Sequence, residues 1–154
     1  MIRGYQPRVE TEPEGHGRFQ WGPALLSGLI AGVILLFAPR ANPWSAQTLF
    51  SPVVMGRTLQ VAYPLAWLLH LSVSLIYGLI VARVVARLEL PKAIMAGAAT
   101  TVLLYFVNLG IVSGLFPELR GNELSVFVVH LAFGLIAAGA YRGLLKRTVV
   151  ADKI

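Results

Sequence analysis

Charged residues cut this chain into long apolar stretches, and the lengths of those stretches predict its elements. Between Arg18 and Arg40 lie 21 uncharged residues, between Arg57 and Arg83 lie 25, between Lys92 and Glu118 another 25, and between Glu123 and Arg142 a further 18. A helix rising 1.5 Å per residue crosses about 30 Å of hydrocarbon in about 20 residues. All four stretches meet that requirement. Runs such as Leu25–Phe37 and Ala93–Leu104 lack the two-residue alternation of a barrel strand. Within lipid only helices and closed barrels satisfy their own backbone, so the pattern predicts helices. The expected spans are 21–38, 63–87, 91–115 and 124–145. The expected fold class is therefore all-α: an integral membrane four-helix bundle over 21–148, between a polar tail (1–20) and a short C-terminal tail (149–154).

The connections differ in character. Residues 116–123, with Pro117 and Gly121, read as a tight turn. The stretch 39–64 is too apolar for a solvated loop. Ser51-Pro52 carries a helix-start signal, and Trp44 and Phe50 suit the headgroup level. A short interfacial helix is expected there. About twenty polar residues precede the first apolar stretch and no small-residue cleavage pattern follows Phe37, so that helix reads as an anchor rather than a signal peptide.

Composition agrees with the pattern. Of 154 residues, 56% are hydrophobic and 13% charged, with a mean hydropathy of +0.71. Ordinary soluble domains carry about 25% charged residues. A net charge of +6 is compatible with nucleic acid, but its placement points to a membrane. Ten of the thirteen Lys and Arg residues fall in the N-terminal tail, the 83–92 link and the C-terminal end; only Arg40, Arg57 and Arg120 lie on the other side. That bias puts both termini in the cytoplasm of a multi-pass membrane protein, in contact with lipid and not with nucleic acid. The absence of cysteine excludes disulfides, thiol catalysis and thiolate metal sites.

No Asp, Glu, Lys or Arg lies in the centre of any expected span, which argues against a proton- or ion-coupled carrier. The notable polar residues are His70, Asn108 and His130, expected in one layer roughly 10 Å below the outer surface. A 60-residue offset superimposes His70-Leu71-Ser72-Val73-Ser74-Leu75-Ile76 on His130-Leu131-Ala132-Phe133-Gly134-Leu135-Ile136. This suggests a parallel repeat of two helical hairpins. Two readings of the layer stand side by side. In the first, the His and Asn side chains hydrogen-bond between helices among small residues that allow close packing. In the second, His70 and His130 at equal depth are the axial ligands of a b-type haem, with Ser74, Gly78, Gly134 and Ala138 leaving room for the macrocycle. No Walker A, H-E-x-x-H or G-x-S-x-G motif occurs, and nothing in the chain suggests an enzyme.

Several of these segments carry a resemblance. They are Asn42-Pro43-Trp44, His70-Leu71-x-x-Ser74-x-x-Tyr77-Gly78, Leu104-Tyr105-x-x-Asn108, Phe116-Pro117 and His130-Leu131-x-Phe133-Gly134 leading to Tyr141-Arg142. Over about 28–145 the chain resembles a family of small bacterial four-helix membrane proteins of unknown function, some loosely labelled sodium:proline symporter. The resemblance implies the four-helix fold and no particular activity. The label does not carry over, because symporters of known architecture use larger inverted repeats and helices broken at the midplane, whereas Pro23, Pro64 and Pro91 here fall at expected helix ends. The leading expectation is an accessory subunit of a larger membrane complex, respiratory or otherwise electron-transferring. A small b-type cytochrome comes second, and a small transporter or channel third.

The topology has a direct test. Gln47→Cys and Asp152→Cys each introduce a single thiol into this cysteine-free chain. A membrane-impermeant maleimide applied to intact cells is expected to label the first and spare the second. The reverse pattern would invert the orientation.

Overall fold

The computed structural model describes residues 19–36, 62–115 and 123–151. They form four helices and, among the described residues, no strand: α1 (Trp21–Leu36), α2 (Tyr63–Val85), α3 (Leu90–Leu115) and α4 (Glu123–Ala151). Most of the N-terminal tail, the expected interfacial helix and the 116–122 turn lie outside the described residues. Three helical segments are long and apolar enough to cross a membrane: Pro64–Val85, Leu90–Leu115 and Glu123–Lys146. The described part of α1 is apolar but shorter, at 16 residues. Pro23, Pro64 and Pro91 all sit in first turns, where the missing N–H removes no helical bond. α4 runs six residues past its expected end at Leu145. Neither glycine nor proline follows Gly143, and Lys146 and Arg147 are good helix formers, so the charge that limits the apolar span does not stop the helix.

Residue size organises the bundle. The buried residues of α1 are Ala24, Ser27, Gly28, Ala31 and Gly32, a stripe at helical spacing made only of small side chains. Leu25, Leu26, Leu29, Val33 and Ile34 face outward on the same helix. The buried stripe of α3 begins in the same way with Ala93, Gly97 and Thr101. A water-soluble helix hides its large apolar residues; here they lie outside and small ones inside.

Two glycine seams follow. Where α1 meets α2, a Cβ added at Gly28 would lie 2.5 Å from the Ser74 carbonyl oxygen and 2.9 Å from Gly78 Cα. Gly32 lies against the Ser74 side chain in the same seam. Where α3 meets α4, a Cβ on Gly97 would lie 2.6 Å from Ala138 Cβ, and one on Gly134 would lie 2.5 Å from the Gly97 carbonyl oxygen. Such spacings leave no room for a side chain. α1 and α3 each pack on both α2 and α4, and α2 touches α4 across the middle, whereas α1 and α3 do not meet among the described residues. The two helices bearing the membrane histidines are thus the central pair. The core of the bundle as a whole is mostly alanine, with Val81, Val85, Phe133, Tyr141 and Leu145 contributed by the central pair.

Gly78→Val and Gly134→Val should each destabilise the bundle by about 1–3 kcal/mol or prevent its assembly, as overpacking does. Gly110 has no atom within 4 Å of where a Cβ would sit. Gly110→Ala should therefore be neutral or stabilise by up to about 1 kcal/mol. Unfolding of the detergent-solubilised protein by titrated SDS measures all three.

Candidate functional site

Most polar side chains in the bundle are satisfied on their own helix. The hydroxyls of Ser27, Ser72, Ser74 and Thr100 donate to the carbonyls of Ala24 (2.8 Å), Leu68 (2.8 Å), His70 (2.9 Å) and Ala96 (2.7 Å). Thr101 Oγ1 lies 3.1 Å from the Gly97 carbonyl and 3.0 Å from that of Ala98. Back-bonding of this kind is how a hydroxyl is tolerated away from water. These groups carry no chemistry, which leaves His70, His130, Asn108 and the tyrosines.

His130 is the most enclosed imidazole, 5% exposed. Its Nδ1 lies 2.8 Å from the Val126 carbonyl oxygen. A carbonyl only accepts, so Nδ1 is the donor in this contact. The ring is flanked by Tyr77 of α2 at 6.0 Å and by Tyr105 of α3 at 5.7 Å, the latter edge-on. Phe133 and Phe127 extend the cluster, packing edge-on against Tyr77 and Tyr105. His70, half-buried on α2, instead turns towards α1, its Nε2 3.4 Å from the Gly32 carbonyl oxygen.

The expected single layer is therefore not what the packing produces. Parallel helices α2 and α4 are in step at a separation of 56 residues, through Tyr77 on Phe133 and Arg142 on the Ala86 carbonyl. The repeat offset of 60 thus leaves His130 one turn, or about 6 Å, deeper than His70. Asn108 lies almost one turn beyond Tyr105 on α3 and so towards the level of His70. As their side chains stand, the two histidines do not fit a haem clasped between them. One imidazole is directed at the α1 backbone, and the other is wedged between two phenol rings with one nitrogen already bonded. No group of three or more His, Asp or Glu able to hold a metal occurs among the described residues.

A second polar cluster, at the basic end, was only partly visible in the sequence. Tyr141 is fully buried, and its hydroxyl oxygen accepts the Gln20 N–H at 3.2 Å, just before the start of α1. Arg142 Nη1 donates to the Ala86 carbonyl at 3.1 Å, closing the C-terminal end of α2. The guanidinium of Arg83 lies 5.5 Å above the Phe19 ring. In the sequence Tyr141 and Arg142 mark only the end of the fourth uncharged stretch, and their long-range partners could not be read there. Tyr105 carried a signal, since it continues the i+4 ridge Ala93, Gly97, Thr101. No family model, curated protein or solved structure matches the chain.

Asn108 tests the polar interior. It is 2% exposed, and its Oδ1 has no hydrogen-bond partner. An unsatisfied buried acceptor costs about 1–3 kcal/mol, and an apolar group of similar shape removes that penalty. Asn108→Leu should leave the unfolding free energy unchanged or raise it, while Asn108→Asp should lower it sharply. A loss of stability in the leucine variant would mean that the amide binds the helices together.

Proposed function

We propose that this chain is a multi-pass protein of the bacterial inner membrane, with four spans and both termini cytoplasmic. It serves there as a non-catalytic accessory subunit of a larger membrane complex. One observation carries the reading: small residues close the interior and large aliphatic ones cover the outside. A lumen for transport would need polar or small residues around water, and a catalytic site would need an unengaged donor or base with access. What the chain offers instead is an apolar helical exterior able to pack against lipid and other spans. The enclosed His130 imidazole between two phenols, in a bundle without membrane-buried carboxylates among the described residues, favours an electron-transfer assembly over a proton-coupled carrier as the host.

The same reading includes a duplicated hairpin. Its support is that the two glycine seams correspond. Ser74 and Gly78 receive α1 as Gly134 and Ala138 receive α3, and the two pairs are related by the same 60 residues as the histidines. On this reading the second hairpin is rotated about an axis along the membrane normal and displaced by one helical turn.

Gentle solubilisation of a tagged chain should yield a particle well above monomer size, with partner polypeptides in fixed stoichiometry, and deleting the chain should lower the abundance of that particle. The subunit separated from its partners should show no reduced-minus-oxidised b-type band and no solute flux in proteoliposomes. A partner-free, monodisperse chain showing a band that His70→Ala removes would replace this reading with the cytochrome. Flux from the pure chain would replace it with the transporter.

A further inference from the structure

The basic end of the bundle holds more than a topology signal. Among the described residues it carries Arg83, Arg87, Lys92, Arg142, Lys146 and Arg147 against one carboxylate, Glu89, which pairs with Lys92 at 3.6 Å. Arg142 is directed at the Ala86 carbonyl. Arg83 and Arg87 are exposed, and no carboxylate lies within ion-pair distance of either among the described residues. Arg83 ends an exposed stripe on α2 that continues through Val84, Ile80 and Ile76, and Arg87 stands in the turn two residues past the helix. At about 100° per residue the four helical positions fall within an arc of about 100°, and Ala86 keeps helical backbone angles, so Arg87 continues the same line. From Arg87 to Ile76 the stripe measures about 16 Å along the axis, the depth of one leaflet of a hydrocarbon core of about 30 Å.

We propose that this face of α2 is a binding site for one anionic phospholipid. Its phosphate lies between the guanidinium groups of Arg83 and Arg87, and an acyl chain runs along Val84, Ile80 and Ile76. Arginine suits this task because its planar fork of donors matches phosphate oxygens and it is more weakly hydrated than lysine. Arg83 is also pre-positioned, since its guanidinium rests on the Phe19 ring. A neighbouring protein helix would cover the apolar stripe equally well but would need an acidic group at its end. A lipid supplies that charge and the apolar chain in one molecule. The inference rests on the membrane reading above and adds a ligand of defined charge and position to it.

Trp21 provides the probe. It is exposed, and its ring stands 5.1 Å from Phe19, the ring beneath Arg83. The full chain, with its other tryptophans removed as Trp44→Phe/Trp67→Phe, is reconstituted into vesicles containing equal mole fractions of brominated phosphatidylglycerol or brominated phosphatidylcholine, and quenching of Trp21 is read. With two arginines near the surface, a preference for phosphatidylglycerol on the order of 30-fold is expected. Arg83→Gln/Arg87→Gln should erase that preference, whereas Lys146→Gln should keep most of it. Free glycerol phosphate should not reduce the excess quenching. Equal quenching by the two lipids, a preference that survives in the double variant, or displacement by free glycerol phosphate would each overturn the lipid site while leaving the membrane reading intact. No quenching by either lipid would overturn both. Should the arginine double variant fail to fold, the comparison of headgroups in the chain that keeps both arginines still decides.

Discussion

The constraint on which the fold depends is the distance between helix backbones at the glycine seams. In lipid, a leucine gains little by leaving a hydrocarbon chain for a protein interior, so the hydrophobic effect does not drive one helix onto another. Attraction comes from dispersion, and it grows as backbones approach and more atoms reach optimal separation. Gly28 with Ser74 and Gly78, and Gly97 with Gly134 and Ala138, permit that approach. The remaining placement follows. Small residues must line the contact faces, so large ones must face outward, and α2 and α4 can then meet across the middle over a core that is mostly alanine.

Close backbones also determine where polar groups can go. Interhelical space of one methyl or less holds no bridging side chain, so each hydroxyl returns to a carbonyl one turn back on its own helix. The Nδ1–H of His130 does the same with Val126. Long-range polar contacts stand at the basic end, where Tyr141 meets Gln20 and Arg142 meets Ala86, and between α1 and α2, where His70 Nε2 lies 3.4 Å from the Gly32 carbonyl oxygen. The shorter hydrogen bonds thus fasten the basic end of the bundle, while its seams are closed mainly by van der Waals contact. That division fits a layer in which interhelical hydrogen bonds contribute modestly, about 0.6 kcal/mol on average.

Helix number and extent were legible because charge spacing and span length are one-dimensional. Arg18, Arg57, Lys92 and Glu123 mark the starts of the uncharged stretches, and the described helices begin within a few residues of them. The seams were legible in part. The four-residue spacing of the small residues Gly28 and Gly32 can be read along the chain, and the partner on the other helix is a matter of rotation that sequence spacing leaves open. The His layer was the least legible element. Matching His70 to His130 by sequence assumed that equivalent residues share a depth, but depth is set by which ridges interlock, and the interlocking of Tyr77 with Phe133 moves α4 by one turn. Tyr77 and Tyr105 acquire their importance only from that interlocking.

The same geometry bears on what a central parallel pair can do. On the reading of two related hairpins, α2 and α4 are related by an axis running between them, and equivalent side chains converge only if they lie on the shared face. In this chain that face is occupied by groups such as Val81, Val85, Phe133 and Ala137. By helical spacing the histidines start from that same face, His70 eleven residues before Val81 and His130 seven before Ala137. Each imidazole is nonetheless engaged elsewhere, His70 at the Gly32 carbonyl of α1 and His130 between Tyr77 and Tyr105, and the one-turn displacement separates the two further. A two-ligand site built from equivalent residues would require the central pair to expose its shared face, and the alanine-rich packing that brings α2 and α4 together closes it. The interior of the bundle is thus occupied by its own assembly, and the surfaces left for ligands are the outward faces of the helices and their charged ends.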